Sequence, residues 1–173
     1  VPQGARTSLT GASCATEGAI VLNVEDLGGV DIDPVEGHAR VGPGVVTADV
    51  KAAAREAGLF YPPDPASSDS CTIGGNVATN AGGLCCIKYG VTGDYVKSLE
   101  VVLAGGEQIR TGKRTAKSTA GYDLTGLFVG SEGTLGVVTS ALVRLVPAPD
   151  PALTALATFD SLDDAVRGVL ALR

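Results

Sequence analysis

The chain has 173 residues, enough for one domain or for one domain and part of another. It is 45% hydrophobic but only 4% aromatic, with 24 glycines, so its core must be built from Val, Leu, Ile and Ala. A net charge of −6 without any basic run argues against nucleic acid and anionic membrane as partners, and no apolar run reaches the roughly 18 residues of a membrane span. The opening VPQGARTS does not read as a signal peptide. Absence of Met and abrupt ends lead us to expect a fragment of a longer protein. Cys14, Cys71, Cys85 and Cys86 fit no zinc spacing. Adjacent Cys85 and Cys86 could form a strained disulfide, but small buried thiols in a reducing compartment, the cytoplasm, are the expectation.

Pro2 to Ser13 (PQGARTSLTGAS) is a Gly/Ser/Thr loop carrying Arg6 and the hydroxyls of Thr7, Ser8 and Thr10. Successive backbone N–H groups in a tight curve make an anion nest, and an arginine beside it can pair with phosphate oxygens. A plain loop with a salt-bridging arginine is the alternative. It is neither a Walker A loop nor a GxGxxG turn. Ala19 to Val24 reads as a buried strand, and Val30 to Asp33 and His38 to Val41 as short strands separated by the Asp33-Pro34 turn. His38 reads as structural or exposed, because nothing near it forms a triad. Thr47 to Ala57 is a scaffold helix with Thr47 as N-cap, an apolar stripe at Val50, Ala53 and Ala54, and Gly58 as its stop.

The stretch from Pro62 to Gly93 organises the rest. It carries paired glycines (Gly74-Gly75 and Gly82-Gly83), with Asn76, Thr79 and Asn80 between them. Glycine lets backbone approach a partner closely, and Asn and Thr supply short donors and acceptors, which suits a flat ligand with polar edges. A long turn-rich connection is the alternative. Such loops are uncommon unless functional or disordered, and Ile73, Val77, Ala78, Ala81, Leu84 and Ile87 offer apolar area that argues against disorder.

Val96 to Ala104 reads as a strand, Gly105-Gly106 as a two-residue hairpin turn, and Glu107 to Thr111 as its return strand. Gly112 to Gly121 is a polar loop with Lys113, Arg114 and Lys117, followed by a short amphipathic helix over Tyr122 to Val129. Gly130 to Gly136 is a third glycine-rich loop and leads into a long strand over Val137 to Val146. Pro147, Pro149 and Pro151 form a stiff linker, then Leu153 to Phe159 reads as a strand and Leu162 to Leu172 as a helix opened by Ser161. Strands with a few helices make the class α+β. Three glycine-rich loops spread along one domain suggest an extended ligand with several polar parts, such as a dinucleotide.

The runs PQGARTSLTGAS, PPDPASSDSCTIGGNVATNAGG, KYGVTGDYVKSLEVVLAGGE, KSTAGYDLTGLFVGSEGTLGVVT and VRLVPAP cover nearly all of residues 1–149. In that order they resemble the PCMH-type FAD-binding domain of the vanillyl-alcohol-oxidase/p-cresol-methylhydroxylase superfamily. Its FAD-linked 2-hydroxy-acid oxidases and dehydrogenases, of the glycolate oxidase and D-lactate or D-2-hydroxyglutarate dehydrogenase type, are the branch most similar. The resemblance implies a mixed or antiparallel sheet with flanking helices over 1–149, and the start of a substrate domain over 150–173. It implies an oxidoreductase acting on CH–OH groups, with hydride or its equivalent passing from a small 2-hydroxy acid to flavin N5. It also implies roles for residues. Gly4, Ala5, Arg6, Thr7, Ser8 and Leu9 would wrap the pyrophosphate. Thr72, Gly75, Asn76, Thr79, Asn80, Gly82 and Gly83 would line the ribityl chain and flavin edge. Asp64 belongs to the same cofactor-binding set, and Tyr89 and Gly90 would lie near the ring. Glu132, Gly133, Gly136, Val137 and Val138 would hold ribose, adenine or ring edge.

Arg6, Ser8 and Ala12 stand where the family often has glycine. Some members attach FAD to His or Cys, but His38 falls in no matching motif, so non-covalent FAD is expected. The family's first βαβ segment and nearly all of its substrate domain, with the catalytic and metal-binding residues, are expected to lie outside this sequence. No catalytic or metal-ligating residue is therefore assigned. The chain alone is expected to be inactive and its FAD site half-walled, and an exposed sheet edge could pair with a second copy as a homodimer. The alternatives are an FAD-dependent alcohol, sugar or lactone oxidase of the same superfamily, and a non-catalytic flavin-binding module.

Overall fold

The computed structural model describes residues 1–113, 115, 117, 119–151 and 154–172. In chain order the elements are β1 (Pro2–Gln3), β2 (Leu22–Asn23), β3 (Val30–Asp33), β4 (His38–Val41), α1 (Thr47–Glu56), β5 (Leu59–Phe60), α2 (Ile73–Thr79), α3 (Cys86–Tyr89), a 3-10 turn (Thr92–Asp94), β6 (Val96–Val102), β7 (Gln108–Gly112), α4 (Leu124–Phe128), β8 (Val137–Arg144), β9 (Val146–Pro147) and α5 (Leu162–Leu172). The α+β class and the antiparallel sheet with flanking helices are as the sequence leads one to expect.

The frame is a five-stranded antiparallel sheet in the order β3-β4-β8-β6-β7. Alternation along the strands decides its faces. Ala39, Val41, Leu99, Val101, Ala141 and Val143 point to one side and are buried with Val50 and Ala54 of α1 and Ile73 and Val77 of α2. Arg40, Glu100, Ser140 and Arg110 make a polar row on the other. Small β-branched and alanine side chains let both helices approach this face closely, and aromatic volume comes from Tyr61, Tyr95 and Phe128.

Several expectations need correction. The run 19–24 forms only the two-residue β2, parallel to β1, and Ile20, Val21 and Leu22 are exposed; Val24 alone is buried. Apolar content makes a buried strand only where another layer covers it. Thr47 is not the N-cap of α1. Val46 holds that position, its apolar side chain unable to cap, and the Thr47 hydroxyl donates to the Cys71 carbonyl. The stretch 62–93 is not a continuous loop but contains α2, α3 and the 3-10 turn, and Leu84 and Ile87 are exposed rather than buried.

The hairpin register Val102↔Gln108 closes through Leu103 N–H on the Glu107 carbonyl, leaving a three-residue loop with Gly106 at φ +91°. The helix expected over 122–129 is the shorter α4, capped by Asp123 accepting from Gly126 N–H. The strand over 137–146 breaks at Leu145, so that β9 can pair with β5. No strand forms over 154–159; α5 is present, its first turn held by Ser161. All four cysteines are free, and only Cys71 is buried. His38 is buried on β4. Arg114, Leu153 and Arg173 lie outside the described residues.

Candidate cofactor-binding cleft

Three segments distant in sequence meet at the same end of the sheet. The first is the loop after β1. The second is α2, whose entry is fixed by backbone: Val46 and Thr72 form a bridge, Ile73 N–H donates to Val45, and Gly74 N–H donates to Pro43. These bonds explain a helix that opens on a glycine pair, since each glycine costs such a helix about 1 kcal/mol relative to alanine. The third is the loop before β8, which is stapled to the end of α2. Gly130 N–H donates to Val77 and Glu132 N–H to Ala78.

Between them lies a cleft enclosing about 1090 Å³ with its open mouth counted. One wall is Gly4, Ala5, Arg6, Thr7 and Ser8. The floor is Thr72, Gly75, Asn76 and Thr79, and the far wall is Glu132, Gly133, Gly136, Val137 and Val138. Arg6 and Glu132, both at left-handed φ (57° and 54°), are its charged lining residues among those described.

Seven of the residues singled out from sequence do not line it. Leu9 is fully exposed. Asp64 pairs with Lys51 of α1, and its carbonyl packs against Gly83. Gly82 packs on the Cys86 thiol, and Gly83 makes hydrogen bonds with the same sulfur. Asn80 ends α2 at φ 48°, accepts from Gly93 N–H at 2.8 Å and lines a separate small cavity with Asp94 and Asp123. Tyr89 stacks edge-on to Phe60 and accepts the Tyr95 hydroxyl at its carbonyl, with Gly90 beside it against Asp94.

Gly74, the other half of the first glycine pair, lines the cleft as well, and so do Gln3, Ser13, Pro43, Pro65, Ser67, Phe128 and Ser131, which were not singled out. Ser67 and Gly74 sit inside a run the composition flags. Pro43 and Phe128 arrive only through the sheet's long-range pairing and leave no local signal.

Three observations test whether the cleft fits a dinucleotide. Among the described residues, the backbone N–H groups of Ala5 to Leu9 donate to no protein acceptor. A run of such groups beside Arg6 suits phosphate oxygens. The Thr72 hydroxyl is buried without a partner among the described residues and faces Gly4, whose hypothetical Cβ would sit 2.6 Å from it. A buried hydroxyl without a partner costs roughly 1–3 kcal/mol, which a ligand can recover. Finally, a Cβ on Gly75 would meet only Thr72 Oγ1, at 3.6 Å, so the protein does not require glycine there and the floor stays open. The residues present fit the group.

Residues 1–112 match the family described as FAD binding domain. The chain is 54% identical over 170 residues to glycolate oxidase subunit GlcD of Bacillus subtilis (98% of this chain, 36% of that protein). It is 37% identical over 169 residues to D-lactate dehydrogenase of Anaerostipes hadrus (97% and 35%). Among solved structures, alkyldihydroxyacetonephosphate synthase superposes with a TM-score of 0.74 at 26% identity, covering 87% of this chain and 30% of that one. The chain thus spans about a third of the length of the curated relatives it matches. With the match covering well over half of its residues, the chain belongs to the FAD binding domain family, and FAD is its cofactor.

Proposed function

We propose that this chain is the FAD-holding part of an oxidoreductase that oxidises a small 2-hydroxy acid, and that it binds FAD non-covalently in the cleft. The observation that carries the reading is the convergence of the three glycine-rich segments on one cleft whose open wall offers unengaged N–H groups. In this reading the backbone N–H groups of Ala5 to Ser8 and the Arg6 side chain orient the pyrophosphate, the Thr72 hydroxyl and Asn76 amide bind polar edges from below, and the Glu132 carboxylate accepts from a sugar hydroxyl. When bound, FAD supplies the acceptor for the hydride lost from the 2-hydroxy acid carbon. Neither His38 nor any cysteine lines the cleft, which supports non-covalent attachment.

The substrate class rests on relatives named for glycolate and D-lactate. The finer readings are a second domain beginning near residue 150, a cytoplasmic location and a homodimer. Free cysteines are consistent with the cytoplasm. The described helices include none long and apolar enough to cross a membrane. The outer strands β3 and β7 leave edges for a second copy.

A fluorescence titration with FAD, followed by an absorption spectrum after desalting, tests the cofactor assignment. Saturable quenching and retained flavin bands are expected; free FAD with no saturable change would overturn it. In the whole protein, anaerobic bleaching of those bands by glycolate or D-lactate is expected. Bleaching by simple alcohols or sugars instead would shift the substrate class.

A further inference from the structure

The floor of the cleft is held from behind by a residue that never reaches it. Asn76 lines the cleft yet is only 2% exposed, and its backbone groups are committed to the helix: N–H to Thr72, carbonyl to Ala81. Its side-chain Nδ2 donates to Thr47 Oγ1 at 2.6 Å. Thr47 is fully buried at the start of α1. Its hydroxyl donates to the Cys71 carbonyl at 3.2 Å and lies 3.2 Å from the Cys71 thiol.

A hydroxyl has one hydrogen and two acceptor sites. With that hydrogen on Cys71, Thr47 can meet Asn76 only as an acceptor. The amide must therefore present its NH₂ group to Thr47 and turn Oδ1 away. Among the described residues no protein donor meets that Oδ1.

We infer that Thr47 is a positioning residue for the cofactor: through the Cys71–Thr47–Asn76 chain it fixes the Asn76 amide so that Oδ1 is offered to the cleft as a hydrogen-bond acceptor. The partner chemistry is a hydroxyl or imide N–H donor, and FAD carries both kinds. Valine at position 47 has the same branched shape without the hydroxyl. Nothing would then hold the amide, and either of its ends could face the cleft. Serine would preserve the whole chain. The inference rests on the cleft being the FAD site.

The experiment is an FAD titration of wild type, Thr47→Val, Thr47→Ser, Asn76→Ala and the Thr47→Val/Asn76→Ala double variant, with the midpoint potential of the bound flavin as second readout. Loss of one oriented hydrogen bond predicts affinity about tenfold weaker in Thr47→Val. Thr47→Ser should lie within twofold of wild type. The potential should shift in the valine variant and return in the serine variant. In the Asn76→Ala background the valine substitution should change affinity by less than about twofold, since a residue acting only through Asn76 has nothing left to position.

An undiminished valine effect in that background, or a valine variant matching wild type in both affinity and potential, would overturn the inference while leaving the cleft assignment standing. Wild type that takes up no FAD would sink the assignment and the inference with it. If Thr47→Val does not fold, Thr47→Ala carries the same comparisons.

Discussion

The two walls that face each other across the cleft share a composition and differ in almost everything else. The floor and far wall, residues 72–79 and 130–138, are tied to Pro43 and Val45 and to each other by backbone hydrogen bonds and to α1 by the Asn76 side chain, and Thr72, Ile73, Asn76 and Val77 are buried. The near wall is exposed from Thr7 to Ala12. Its bonds are short-range: Ser8 with Thr10, Thr10 with Ala12, and Cys14 N–H on Gly11. Glycine, serine and threonine therefore serve two ends. In the floor they allow close packing and fix the shape before a ligand arrives. In the near wall they leave N–H groups unengaged, to be organised by whatever anion sits there.

Substituting one glycine on each side should break this symmetry of composition most sharply. Gly83, just beyond the floor helix, has φ +145°, and a Cβ there lands on the backbone carbonyl of Asp64. Backbone cannot move aside cheaply, so Gly83→Ala should cost about 3 kcal/mol. For a chain of this size that is roughly 6–12 °C in Tm by calorimetry. Gly11 also has positive φ (+79°), but no atom lies within 4 Å of its Cβ position. Gly11→Ala should cost only the left-handed penalty, about 1 kcal/mol. Equal losses would mean that the near wall is as firmly packed as the floor.

Gly4→Ala probes where the two sides touch. Its Cβ would crowd the partnerless Thr72 hydroxyl at 2.6 Å, and that side chain can rotate. The apo protein should lose little, under about 1 kcal/mol, because a rotamer change costs of that order. FAD affinity should fall about tenfold or more, since the rotated hydroxyl no longer faces the ligand and the methyl occupies its space. A large Tm loss with unchanged affinity would place the Gly4–Thr72 contact in the scaffold rather than the site.

What was legible in the sequence divides along the same line. The near wall is local, so PQGARTSLTGAS announces an anion-binding loop, and every residue from Gly4 to Ser8 lines the cleft. The β strands at 30–33, 38–41 and 96–102 follow from their alternation. The floor is where local rules fail. Gly74-Gly75 reads as part of a loop that lets backbone approach a ligand, yet α2 begins one residue earlier, because Val45 and Pro43 accept its first N–H groups across a gap of 28 to 31 residues in the chain. Thr47 reads as a cap for α1 because capping is a local habit. Its hydroxyl is taken by Cys71 and Asn76, residues whose proximity depends on the bridge between Val46 and Thr72. Tyr89 and Gly90 were expected near the ligand from their place in a shared run, but α3 carries them away from the cleft toward Phe60 and Asp94.

Tyr61 shows that the firmer side is not optimised for stability. It leads into the Pro62 segment, is completely buried, and packs edge-on to Tyr95 at 6.2 Å between ring centres. Its hydroxyl meets no hydrogen-bond partner among the described residues. Removing such a group altogether relieves its desolvation cost, so Tyr61→Phe should stabilise the protein by about 1 kcal/mol, or 2–4 °C. Burial, with smaller contributions from Cys71 and Tyr95, pushes the phenol's pKa well above its ordinary value of 10. The folded state thus keeps its proton where the unfolded chain has lost it. The contribution of this group is complete below about pH 10 and drains away as the pH rises through the raised value. Wild type should therefore lose stability on the alkaline side more steeply than Tyr61→Phe. The remaining slope comes in part from Tyr95, whose pKa burial raises in the same direction. Urea unfolding of both proteins between neutral pH and pH 11 measures this directly. Parallel curves, or a destabilised phenylalanine variant, would mean that the hydroxyl has a partner in solution and that the core behind the floor is better satisfied than its geometry indicates.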